Sequence, residues 1–260
     1  MKKLLIIFFA AGFLSCASDE KQIIKPPVTE PSFDLSTLEG FFKTTEADVF
    51  RAKQVVEKEK IIFNLTHLKL MNTGGRKYYL LERENITEMI NAVTEGIYLD
   101  YILINRSGDI IYTGTNDSIF GSNINSGFED TPIRKCYLSR QAVHFEDVSA
   151  MTTGSSILGL YVSVPVVSEE GFQGTLILQI DIDRINRFFD NRTDIISREG
   201  LIRVTIDKKR ILSQYTGFES IDITSLDRNS IWSDSSSGSR TDYSIFKFKN
   251  ISWIIARKAL

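Results

Sequence analysis

Histidine, tryptophan, cysteine and proline are scarce in this chain of 260 residues, with two each of the first three and five prolines. His67, His144, Cys16 and Cys136 form no cluster with metal-ligand spacing, since neither H-E-x-x-H nor C-x-x-C occurs. Asp181-x-Asp183 lacks the spacing of an EF-hand loop. Glycine-rich phosphate loops and the G-x-S-x-G elbow are absent as well. The chain therefore shows no catalytic motif and calls for no metal or cofactor, and the reading is that it is not an enzyme; carboxylate pairs assembled from distant segments stay open. Excess charge of one sign is lacking: 31 Lys and Arg stand against 33 Asp and Glu, with no block of like charges. That balance gives no basic footprint for nucleic acid. Beyond residue 14 no apolar run approaches the ~20 residues of a membrane-spanning helix. What remains is an ordinary globular composition, 42% hydrophobic and 25% charged.

The first sixteen residues are the most informative. Lys2 and Lys3 precede an apolar run from Leu4 to Leu14, and Ser15 and Cys16 follow. Such a run is too short to cross a bilayer as a helix and suits a cleavable secretory signal. The Phe13-Leu14-Ser15-Cys16 ending resembles a bacterial lipoprotein signal, in which the cysteine is lipidated, palmitate included, and becomes the first residue of the mature chain. The alternative is an ordinary signal peptide with a chance cysteine. Either reading places the protein outside the cytoplasm, in the cell envelope; the first attaches it by lipid to the inner or outer membrane. Two or three acyl chains hold stably where a single one holds marginally. With Cys16 acylated, Cys136 has no partner for a disulfide.

The division that follows is 1–15 signal peptide, 16–35 lipidated cysteine and tether, 36–95 helices, 96–190 a distal lobe and 191–260 a smaller proximal lobe. The tether is polar, carries three prolines and spans roughly 25 Å as a flexible chain. Ser36 and Glu39 read as a capping box, and apolar residues from Leu38 to Leu70 recur at three-, four- and seven-residue spacing. This predicts one long amphipathic helix to Met71, with a kink allowed, stopped by Asn72 to Gly75. A second helix fits Tyr79 to Val93. Beyond Gly96 the period is that of strands: Leu99–Asn105 and Ile110–Tyr112 as a hairpin about Ser107-Gly108, then Ile157–Val167 and Gly174–Asp181 about a Glu169-Glu170 turn. Between them Pro132–Val143 reads as a short helix, and Asp181 as the cap of a helix to Phe189. The last region reads as strands Leu201–Ile206, Ile211–Tyr215, Tyr243–Lys249 and Ile251–Ala256, with a Ser/Gly loop at Ser233–Gly238. Helices followed by two antiparallel sheets make an α+β fold.

The order YILINRSGDIIYTG, FGSNI, then YVSVPVVSEEGFQGTLILQIDIDRI resembles the Cache superfamily of extracytoplasmic sensor domains, and Gly200 to Leu260 resembles the smaller lobe of its double-Cache arrangement. The resemblance implies a long N-terminal helix followed by two PAS-like lobes, the distal one holding a small ligand. In amino-acid-binding relatives an Arg-Pro-Trp-like segment holds the carboxylate, while a Tyr-x-Asp and a strand-end Asp hold the amine. The matching positions are Thr131-Pro132-Ile133, Phe145-Glu146-Asp147 and Asp181. By this resemblance Asp147 and Asp181 suit an amine and Arg134 serves as a shifted anion clamp; among the strand tyrosines Tyr101, Tyr112 and Tyr161, Tyr101 and Tyr161 are the candidates to line a pocket, since ligand sites are commonly apolar and aromatic. Without it, Asp181 is a helix cap, Asp147 a turn residue and both tyrosines strand packing.

Three function classes follow: a lipid-anchored sensor for a small, amine or amino-acid-like solute acting through a membrane receptor or signalling protein, a ligand-free structural or interaction lipoprotein of the same fold, and an enzyme with a dispersed site. A pocket facing Asp147, Asp181 and Arg134 distinguishes the first from the second, whose lobe is filled by side chains.

Overall fold

A computed structural model describes residues 35–71, 75–94, 98–152, 157–221, 223–226, 232–234 and 240–259, with the side chains of 68–78, 220, 225 and 232 outside that description. The signal, Cys16 and the tether fall outside these residues, as does most of the Ser233–Gly238 loop.

Three helices come first: α1 (Leu35–Lys58), α2 (Ile61–Met71) and α3 (Gly75–Thr94). On α1 the buried residues Leu38, Phe42, Val49, Ala52 and Val56 form the expected stripe. The long helix is broken in two, because Lys60 takes a left-handed φ of 50° and ends α1 before its own carbonyl accepts Asn64 N to start α2. Leu35 already belongs to α1, so Ser36 lies inside its first turn.

The distal lobe is a five-stranded antiparallel sheet in the order β2-β1-β5-β4-β3: β1 (Tyr98–Asn105), β2 (Ile110–Thr113), β3 (His144–Ala150), β4 (Leu158–Ser168) and β5 (Gly171–Asp181). The β1–β2 turn closes on Gly108 at φ +87°, a conformation that glycine adopts without cost. Between β2 and β3 lies α4 (Pro132–Ser139), capped by Thr131, whose Oγ1 accepts Arg134 N at 3.4 Å. The helix expected to run to Val143 stops at Arg140, in left-handed conformation, and β3 follows as a strand absent from the sequence reading. After β5 comes α5 (Ile182–Asn186), capped by Asp181 as expected.

The proximal lobe is a second antiparallel sheet, ordered β7-β6-β10-β9-β8: β6 (Thr193–Ser197), β7 (Ile202–Val204), β8 (Trp232–Asp234), β9 (Thr241–Phe248) and β10 (Ile251–Lys258). The return strand expected at Ile211–Tyr215 is not formed; a single bridge joins Leu201 to Gln214, and Lys208–Arg210 make a 3-10 turn.

One core joins the helices to an inner face of each sheet. Phe42 carries it: its ring lies 5.4 Å from Phe145 of the distal lobe and 5.5 Å from both Phe246 and Trp253 of the proximal lobe. Two further clusters fill the outer faces, one under α4 and one under residues 215–226. Among the described residues no helix is long and apolar enough to cross a membrane.

Candidate functional site

The pleat of the distal sheet sorts its residues between the helix-covered face and the α4-covered face. Tyr101, Leu103, Leu176 and Leu178 join the inner core, so Asp100, Ile102, Ile177 and Gln179 point toward α4. The registers Asp100↔Gln179, Gln179↔Tyr161 and Tyr161↔Glu146 place four polar side chains in one row across β1, β5, β4 and β3. Three of them, Asp100, Gln179 and Tyr161, are buried, although Asp100 and Gln179 each stand beside an isoleucine-bearing row on the same face, Ile102 and Ile177.

Asp100 is fixed by its backbone surroundings. Its Oδ1 accepts Tyr101 N at 2.8 Å, Gly114 N at 2.6 Å and Thr115 N at 3.0 Å, tying β1 to the loop after β2. Its Oδ2 is buried and has no hydrogen-bond partner among the described residues. Burial pushes the Asp100 carboxyl above the usual carboxylate range, against the three amides and the Thr115 side chain that favour its ionised form. Gln179 Nε2 donates to Tyr161 Oη at 3.4 Å. The Tyr161 phenol is pushed far up by burial first, with Cys136 and Asp100 adding to it. At the β3 end, Glu146 Oε1 lies 2.7 Å from His144 Nε2, while His144 Nδ1 is buried without a partner among the described residues. Cys136 on α4 is fully buried and its thiol is pushed up by that burial, which makes it a small core residue and not a nucleophile.

Of the residues singled out in the sequence, Tyr161 and Asp181 lie on this face, Asp181 one pair beyond Gln179 at the strand end. Asp181 Oδ1 accepts Asp183 N at 3.0 Å, its capping bond. Arg134 sits on α4, which packs over β3, β4 and β5, and its Nε is buried without a hydrogen-bond partner among the described residues. Tyr101 faces the other way, its hydroxyl 2.6 Å from Asn91 Oδ1 and 2.9 Å from Thr94 Oγ1 on α3. Asp147 is also turned away from the row: Oδ1 accepts Trp253 Nε1 at 2.8 Å, and Oδ2 pairs with Arg203 at 3.0 Å, both in the proximal lobe. Asp100, Gln179 and Glu146 were missed. Their signal was parity: a polar residue at a core-facing strand position needs a partner or a purpose.

Around the row, Ile102, Ile104, Phe128, Ile133, Tyr137 and Ile177 close the face with apolar side chains. The row is thus covered by hydrocarbon, with its polar groups at the floor of that packed face. No group of three or more His, Cys, Asp or Glu fit to hold a metal occurs among the described residues.

Neither a family model nor a curated protein sequence matches the chain. Solved structures do match in fold. An extracellular ligand-binding receptor from Desulfohalobium retbaense superposes with a TM-score of 0.59 at 11% identity, over 87% of this chain and 38% of that one, so this chain spans well under half of that receptor's length. The ligand-binding domain of the Pseudomonas fluorescens chemoreceptor CtaA, in complex with L-isoleucine, gives 0.56 at 9% identity, over 86% of this chain and 87% of that one. The sensor domain of the V. cholerae histidine kinase DctB gives 0.56 at 14% identity, over 86% and 93%. Each is a ligand-binding or sensor domain. With its leading helices and two five-stranded antiparallel sheets, the chain shares its fold with these ligand-binding and sensor domains.

Proposed function

We propose that the protein is an extracytoplasmic, lipid-anchored solute sensor whose distal lobe takes a small cationic solute, an amine, over the Asp100–Gln179–Tyr161 row, and which acts through a membrane partner. One observation carries the reading: Asp100 Oδ2 is buried and has no hydrogen-bond partner among the described residues, and a buried acceptor left open costs about 1–3 kcal/mol unless something donates to it. Asp181, at the end of the same face, is the second acidic contact, and Arg134 the candidate for an anionic group. A ligand shifts only states that it distinguishes energetically, so output requires that α4 and the row differ between the empty and filled lobe.

A thermal-shift screen of amines and amino acids against the mature domain tests this. A solute at a hundred times its dissociation constant adds about 2.7 kcal/mol of stability. The shift should vanish in Asp100→Asn and survive in Asp147→Asn, whose carboxylate faces the other lobe. Affinity for a cation should also rise with pH as the upshifted Asp100 carboxyl ionises. A hit whose shift is unchanged by Asp100→Asn refutes the site.

Anchoring rests on the Lys2 to Cys16 pattern. Cys16→Ser should block palmitate incorporation and move the protein from the detergent to the aqueous phase on phase separation. Retention of label in that variant defeats the lipoprotein reading.

A second reading, a ligand-free structural or interaction lipoprotein, is favoured by the apolar side chains that fill the α4 face. Under it, no solute in the screen raises the melting temperature.

A further inference from the structure

Strand β3 works on two sides. Toward α4 it supplies Glu146 and His144 to the row, and β4 is its ladder partner. On its other side the proximal lobe holds it through side chains. The Asn250 amide, at the β9–β10 turn, accepts Phe145 N at 3.1 Å and donates to the Phe145 carbonyl, satisfying both backbone groups of an edge strand as a neighbouring strand would. Trp253 reaches Asp147 Oδ1, and Arg203 pairs with Oδ2, an ion pair whose angle falls short of a hydrogen bond at Nε. A second nitrogen of Arg203 donates to the Val148 carbonyl at 2.8 Å.

These contacts fall where β3 leaves its ladder. Pairing with β4 runs Glu146↔Tyr161 and resumes at Ser149↔Gly159, so β3 spends three steps against two and bulges at Asp147-Val148. The bulged residues are the ones the proximal lobe takes. Nothing at this junction is loose: Phe145, Val148 and Trp253 are fully buried. Close-packed contacts of this kind pass on a displacement instead of absorbing it.

We propose that β3 is the coupling strand between the lobes, its bulge converting a change in the Asp100–Gln179–Tyr161–Glu146 row into a shift felt by β7 and β10 through Asn250, Trp253 and Arg203. Asp147, desolvated and paired with Arg203, cannot drop its partner without leaving a charge buried, so β3 and the proximal lobe move together. Other bridges between the lobes are α1, through Phe42, and α5, whose Asp183 pairs with Lys208 at 2.6 Å, and the experiment separates β3 from both. The coupling does not rest on the solute-binding reading, because it concerns the unliganded chain.

Hydrogen exchange is measured by peptide mass on the full mature chain, without ligand, for the parent, Asp100→Asn, Asn250→Ala and the double variant. Asp100→Asn should change exchange in β10 by about fivefold or more with the junction intact, and by less than about twofold in the Asn250→Ala background, the smallest coupling worth the name being about fivefold. An unchanged β10 in Asp100→Asn overturns the proposal. So does an equal effect in both backgrounds, which assigns the coupling to α1 or α5. Should Asn250→Ala fail to fold, Arg203→Met takes its place with the same expectations; Gln179→Leu likewise replaces Asp100→Asn.

Discussion

Phe42→Ala lowers the stability of the domain by about 3–5 kcal/mol, the range for removing a buried aromatic ring. Its ring is fully buried and has five aromatic neighbours within 5.6 Å: Phe41, Phe145, Phe246, Phe248 and Trp253. Three of those contacts are edge-on geometries of the favoured kind, to Phe41, Phe145 and Trp253, which add to the area term. The neighbours come from three places: α1 itself, β3 of the distal lobe, and β9 with β10 of the proximal lobe. A cavity left there is walled by three bodies, and none can close it without parting from another. The loss is read by urea denaturation, with Phe63→Ala as control. Phe63 is 56% exposed on α2 and should cost no more than about 0.5 kcal/mol. Equal losses at the two positions would remove Phe42 from its central place in the core.

The same residue shows how far the sequence could be read. Phe42 was legible as one member of a helical stripe, because helix period depends on spacing alone. Its role as the meeting point of two lobes was not, since that depends on which strands lie opposite. The strands of near-continuous apolar sequence, β1, β4 and β5, were read almost to their ends, and so was the Asp181 cap. β3 escaped because His144-Phe145-Glu146-Asp147 offers no period-2 pattern: a bulge breaks its alternation, and its charges are satisfied by Trp253, Arg203 and one another. The helix break escaped for another reason. A lysine at φ 50° carries no glycine or proline signal, and packing of α2 against the first strands imposes the turn. At the candidate site the resemblance pointed to strand-end acids, of which Asp181 lies on the α4 face while Asp147 is engaged by the proximal lobe. Asp100 and Gln179 needed the register, which turns an isolated polar residue in an apolar run into one member of a row.

Gly174→Ala costs about 3 kcal/mol, the upper end of overpacking by a single methyl. Gly174 pairs with Asn105 on β1 and with Val166 on β4, in the central strand of the distal sheet. A Cβ at that position would press against the Ile104 carbonyl oxygen well inside van der Waals contact, 3.1 Å from Asn105 Cα and 3.0 Å from Ile62 Cδ1. Two of those three atoms are backbone, so no rotamer change relieves the contact; β1 must move off β5, loosening the ladder that also positions Asp100. Amide exchange at residues 103–105 should therefore rise along with the fall in stability. Gly40→Ala is the matched opposite. Gly40 is exposed on α1 with nothing within 4 Å of its would-be Cβ, so the same methyl should stabilise by about 0.5–1 kcal/mol through the lost flexibility of the unfolded chain. The two substitutions are chemically identical and should move the melting temperature in opposite directions. If Gly174→Ala is as stable as the parent chain, the close approach of β1 to β5, and with it the placement of Asp100 beside Gln179, is refuted.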